Sequence, residues 1–102
     1  MKVYNVIQTS NCDGEFLVNV TPCADLHSAQ AIMDDEIRTL LSEETSTYYG
    51  LDLDEIERDQ EDDDADCDYT LERSDTLFYI DCLYDDYSER IEIEEKEIVK
   101  IG

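Results

Sequence analysis

Apolar and polar residues alternate along the chain with two periods, close to two and close to 3.6, and these mark out its elements. Val3-Tyr4-Asn5-Val6-Ile7-Gln8 is β-branched and aromatic and predicts a strand. Asn11-Cys12-Asp13-Gly14 carries turn chemistry, with Gly14 free to take positive φ. Residues 15–20 follow with Phe16, Val18 and Val20 on one face, which completes a hairpin. Pro22 has no N–H to donate and is expected to stop the sheet.

The period then lengthens. Leu26, Ala29, Ile32, Met33, Ile37, Leu40 and Leu41 recur at three- and four-residue steps and predict one helix over residues 25–43. Asp25 is its expected N-cap. Asp34, Asp35 and Glu36 are placed mostly off this stripe, facing water. From residue 45 to 68 the pattern dissolves. Leu53 and Ile56, three apart, predict one or two helical turns within 51–56. Residues 59–68 then hold seven acids in ten positions and no base. Like charges in a block repel one another and stay solvated, so 45–68 is expected to be an acidic excursion, poorly ordered or loosely helical.

Alternation returns over 69–73 and more strongly over 76–84, where Phe78, Ile80, Cys82 and Tyr84 share an apolar face. Asp85-Asp86 reads as a turn. The return strand, 87–95, puts Ile91 and Ile93 inward and Arg90, Glu92 and Glu94 outward. A further short strand is expected over 97–101. The order β-β-α-β-β-β predicts an α+β two-layer sandwich, an antiparallel sheet of about four or five strands with one main helix on one face. Residues 1–102 are read as a single domain.

Charge changes the picture most. The chain carries 29 Asp and Glu against 7 Lys and Arg in 102 residues, a net −22. The charge is uneven, −6 over residues 1–50 and −16 over 51–102. Direct nucleic-acid binding through a basic patch is excluded by this balance, as is an anionic membrane surface. No apolar run approaches the ~18 residues that would span a bilayer, and Met1–Ser10 lacks a signal-peptide pattern. The expectation is a soluble, cytoplasmic protein. High charge alone would suggest disorder, but 41% of residues are apolar, with only 3 Gly and 1 Pro. A packed core under a self-repelling surface is expected.

Cys12, Cys23, Cys67 and Cys82 form no C-x-x-C pair, and His27 stands at no zinc-finger distance from two of them. Two disulfides in any of three connectivities can be drawn, while the lack of a secretory signal favours free thiols. An EF-hand fails in both registers tried. From Asp64 the acids Asp66, Asp68 and Asp75 fall at positions 3, 5 and 12, but Tyr69 stands where the loop needs glycine. From Asp59, position 12 is Thr70. Among 29 acids, close carboxylate pairs arise by chance, so they do not argue for general acid–base chemistry. His27 reads as an exposed residue in the first turn of the helix, and no phosphate-binding glycine motif is present. A non-enzymatic protein without cofactor or metal is expected.

What remains is the field of the surface. Carboxylates on a strand face repeat about every 6.6–6.8 Å, and a folded acidic face can offer a basic groove the charge it expects from nucleic acid. The residues assigned to such contact are Asp59, Glu61, Asp62, Asp63, Asp64, Asp66 and Asp68, with Asp85 and Asp86 secondary. Tyr48, Tyr49, Tyr69 and Tyr87 are candidate interface anchors among the acids.

Small size, this charge and an acid-rich α+β pattern resemble the DNA-mimic proteins of phages and mobile elements. The resemblance implies an inhibitor whose acidic surface occupies the DNA-binding channel of a restriction enzyme or CRISPR effector, the partner being a cationic nucleic-acid-binding protein. It rests on overall character and assigns no role to a single residue. Met1-Lys2-Val3-Tyr4, Gly14-Glu15 and Arg90-Ile91-Glu92-Ile93-Glu94-Glu95, with the helix between, are similar to short uncharacterised β-β-α-β-β proteins of bacteria and their phages. The alternative is a small scaffold or oligomerisation module, including a homodimer by strand addition, with a merely solvated acidic face. A high-salt habitat and weak calcium buffering are lesser rivals.

Overall fold

The computed structural model describes residues 2–46, 48–61, 69–82 and 87–98. Among the described residues five strands and two helices follow in the order β1 (Lys2–Cys12), β2 (Glu15–Cys23), α1 (Leu26–Ser42), α2 (Leu53–Glu61), β3 (Tyr69–Arg73), β4 (Leu77–Cys82) and β5 (Tyr87–Glu97). The strands form one sheet in the order β2-β1-β5-β4-β3, with every neighbouring pair antiparallel. Among the described residues β5 is therefore its centre, and β2 and β3 are its edges. The fold is α+β, with two helices where one main helix was expected.

The hairpin forms because Asp13-Gly14 makes a two-residue turn with both φ values positive, 51° and 85°. That geometry matches the right-handed twist of the flanking strands. The Asn11 side-chain oxygen accepts the Gly14 N–H at 3.2 Å and braces the turn. β2 does not stop at Pro22 as expected but continues to Cys23. Edge position explains the tolerance: proline is accommodated where its missing N–H would have faced solvent.

Asp25 caps α1, its carboxylate accepting the Ser28 N–H at 2.7 Å. This bond lowers the Asp25 pKa. The apolar stripe of α1 lies over β1, β5 and β2, and Ala29 and Met33 are buried there. Beyond the C-cap at Glu43, Gly50 at φ 76° donates its N–H to the Leu41 carbonyl at 2.9 Å. The chain is thereby folded back, and Tyr48, expected as a surface anchor, is buried at 4% exposure. Its ring stands edge-on to that of Tyr69, centroids 6.5 Å apart.

Within the expected excursion, residues 53–61 are helical. The Asp52 carboxylate accepts the N–H groups of Asp54 and Glu55, and Asp54 and Glu55 place negative charge in the first turn, which the helix dipole favours. Ile56 is buried, and α2 packs on β3. Val6, Leu71, Phe78, Ile80 and Ile91, each at 3% exposure or less, form the heart of the core. Ile91 and Phe78 lie inward as expected, and β5 ends at Glu97. The expected strand over 97–101 and the Asp85-Asp86 turn fall mostly outside the described residues.

Candidate functional site

Strand register sorts side chains onto two faces of the sheet. Val6, Gln8 and Ser10 of β1 oppose Ile93, Ile91 and Glu89 of β5 and lie beneath α1. On the opposite face are Ile7 and Thr9, with Val20 and Val18 beside them on β2 and Glu92 and Arg90 beside them on β5. No helix covers that face among the described residues. Phe16, Val18 and Val20 do share a face, as their alternation indicates, but it is the uncovered one. They are 68%, 60% and 55% exposed, and Leu17, on the other face, is 69% exposed.

The acidic run is only partly within view. Asp59 is half-buried and Glu61 exposed, both in the last turn of α2, whereas Asp62, Asp63, Asp64, Asp66, Asp68, Asp85 and Asp86 lie outside the described residues. The structure adds exposed acids that the sequence reading does not assign to partner contact. Asp52 is exposed just before α2, Asp54 and Glu55 in its first turn, and Asp34 and Asp35 along α1. Of the six bases in the described residues, four are held by acids. Lys2 meets Glu95 at 2.9 Å, Arg38 meets Asp35 at 3.4 Å, Arg90 meets Glu92 at 3.0 Å, and Arg73 binds both Asp54 and Glu57.

The Arg73 pairing fixes α2 to the sheet. The hydrogen bond between Arg73 and Glu57 is the chief cause that raises the Arg73 pKa and lowers that of Glu57. Gln60 completes the clamp. Its side-chain amide donates to the Leu71 carbonyl at 3.1 Å and accepts the Leu71 N–H at 2.6 Å. One side chain thus satisfies the outer edge of β3 as a neighbouring strand would, so the acidic helix is presented on a rigid support.

A second group of acids is inside. Glu89 is 6% exposed on β5, and its Oε1 accepts Gln8 Nε2 at 2.8 Å and Ser10 Oγ at 2.6 Å. Glu36 turns inward from α1 rather than facing water, because it lies one heptad beyond Ala29 on the buried stripe. Its Oε2 is sealed from solvent without a hydrogen-bond partner, as is the Tyr48 hydroxyl. Burial, then the charges of Glu89 and Asp35, raise the Glu36 pKa above its ordinary 4.5. Burial and Glu89 likewise raise that of Tyr48.

A raised carboxyl binds its proton more tightly in the folded state. Ionising it therefore costs stability; the cost is absent below the ordinary pKa, grows as pH rises through the folded pKa, and persists at neutrality. Glu36→Gln is expected to melt a few degrees above the wild type at pH 7, the gap narrowing towards pH 4.5. Parallel melting curves without a gap at pH 7 would contradict this placement. Asp25 and Glu57 act with the opposite sign, losing stability as pH falls through their lowered pKa values.

A groove of about 480 Å³ opens between α1, the start of α2 and the β3–β4 turn, lined in part by Met33, Ile37, Leu53, Arg73 and Phe78. Arg38 and Arg73 on its wall are engaged in ion pairs and Ser74 Oγ accepts the Thr76 N–H, while Asp34 also lines it. Among the described residues, no group of three His, Cys, Asp or Glu side chains is placed to hold a metal ion. Cys12, Cys23 and Cys82 are free thiols, and no described helix is long and apolar enough to cross a membrane. Comparison with known proteins finds no family model, curated relative or solved structure that matches this chain.

Proposed function

We propose that this chain is a non-catalytic acidic interaction protein that occludes the basic site of a nucleic-acid-binding protein by presenting carboxylates in place of phosphates. The observation that supports the reading is the clamped helix α2. A mimic gains affinity when its charges are held in place before binding, since less ordering entropy is then lost. Arg73 and Gln60 hold α2 on β3 while Asp52, Glu55 and Glu61 stay exposed to solvent. Asp52 and Glu55 stand three residues apart, close to one helical turn of about 5.4 Å, which is the length scale of backbone phosphates, while Glu61, six residues beyond Glu55, projects from another side of the helix. With most bases already paired to acids, the outward field is negative and steers a cationic partner.

Charge reversal tests it. Replacing Glu61, Asp62, Asp63 and Asp64 by lysine changes the net charge by eight and touches neither Arg73 nor Gln60. Affinity for the captured partner is expected to fall by about 100-fold at ~0.1 M salt, with the far-ultraviolet circular dichroism unchanged. Undiminished binding by this folded variant would overturn the assignment of the acidic run.

A further inference from the structure

The two edges of the sheet are treated differently. The β3 edge is occupied by α2, whose Gln60 amide bonds both the N–H and the carbonyl of Leu71. Among the described residues nothing lies along the outer edge of β2, which is nine residues long. Exposed edges are normally blunted by charge, covering or brevity, because their free N–H and C=O groups recruit further strands. β2 has none of these protections over residues 16–21.

Register sets what that edge offers. The two-residue turn makes Cys12 and Glu15 a hydrogen-bonded pair, and alternation then turns the backbone of residues 15, 17, 19, 21 and 23 towards β1. The N–H and C=O groups of Phe16, Val18 and Val20 point outwards. The same three residues carry the exposed apolar side chains of the uncovered face. Hydrogen-bonding capacity and apolar surface therefore coincide on one strip.

We infer that β2 pairs antiparallel with β2 of a second copy of this chain, with Val18 on the two-fold axis, joining two sheets into one of ten strands. In that register Phe16 faces Val20 of the partner subunit, an aromatic and β-branched pairing that stabilises strands. Three hydrogen-bonded residue pairs form across the axis. Pro22, with no N–H, lies just beyond them and ends the ladder.

Charge confines the pairing of two copies to this strip. Two chains of net −22 repel one another wherever acids meet, yet residues 16–23 hold no charged side chain. In the Val18-centred register Glu15 faces Thr21 of the partner subunit and Asp13 faces Cys23 of the partner subunit, so no carboxylate opposes another. A cationic partner would gain nothing on this strip. Phe16, Val18 and Val20 expose on the order of 300 Å² of apolar surface per copy on the uncovered face, the size of the largest apolar patch on an ordinary monomer, and Leu17 is exposed on the other face.

Sedimentation equilibrium in low and high salt tests the pairing. Because it is apolar and opposed by net charge, the dimer is expected to strengthen with salt, the reverse of binding to a cationic protein. The wild type is expected to sediment at twice its 11.8 kDa chain mass at about 100 μM in ~0.5 M salt. Val18→Pro removes an outward N–H that β1 does not use, and Val18→Lys keeps the backbone but adds charge. Each is expected to remain folded and to weaken association at least 30-fold. In the wild type, the amides of Phe16, Val18 and Val20 are expected to become protected from hydrogen exchange as concentration rises. A monomer under these conditions, a dimer that both variants leave intact, or exchange at these amides that ignores concentration would each overturn the proposal.

Discussion

Ile91→Ala is expected to be largely unfolded at about 0.01 M salt and to refold when salt is raised to about 1 M. Ile91 is fully buried on the central strand, between Gln8 of β1 and Phe78 of β4. Removing its three outer carbons costs about 2–5 kcal/mol, the spread depending on how far the site collapses. A domain of this size has about 5–15 kcal/mol in reserve, and a net charge of −22 draws on it through self-repulsion. Screening shortens the reach of that repulsion from about 30 Å to about 3 Å over the same salt range. The wild type is expected to keep its circular dichroism at both salt levels. A variant equally stable in both would show that repulsion is a minor term.

Gln60→Ala is expected to release the end of α2 from the sheet. Leu71 is buried at 3% exposure, so its N–H and carbonyl have poor access to water once the amide is gone. Leaving buried backbone groups unpaired costs about 1–3 kcal/mol each. Arg73 remains to hold the first two turns through Asp54 and Glu57, so the loss is local rather than global. Hydrogen exchange should speed up at Leu71 and along α2 while the β1, β4 and β5 amides keep their protection. Unchanged exchange at Leu71 would mean that Gln60 does not serve as the cover of this edge. Because the α2 clamp supports the proposed function, the same variant should also bind a cationic partner more weakly.

These two residues mark the border of what the sequence made legible. Ile91 was readable because alternation over 87–95 is a local property, as were the cap at Asp25 and the turn at Asp13-Gly14. The same alternation places Glu89 on the buried face with Ile91, and Glu36 falls on the buried stripe of α1. The sequence reading expects Glu36 to face water and assigns Glu89 no place, because acids read as solvated where no partner is close in sequence. Gln8 and Ser10, the partners of Glu89, come from the far end of the chain, about eighty residues away. Gln60 and Arg73 were not legible for the same reason. α2 has two apolar residues of its own, Leu53 and Ile56, and owes its place to contacts with β3. Sheet order depends on β5 inserting between β1 and β4, a pairing that no local pattern encodes. Of the acidic run, only Asp59 and Glu61 can be placed on the fold.

The most direct test of the proposed function is elution of proteins captured from lysate on the immobilised chain at ~0.1 M salt, with duplex DNA compared against polyglutamate at equal charge. The expected result is one nucleic-acid-binding protein, retained in near-stoichiometric amount and released by DNA far more readily than by polyglutamate. A broad set of basic proteins released alike by both polyanions would contradict mimicry and leave the acidic surface with no specific partner.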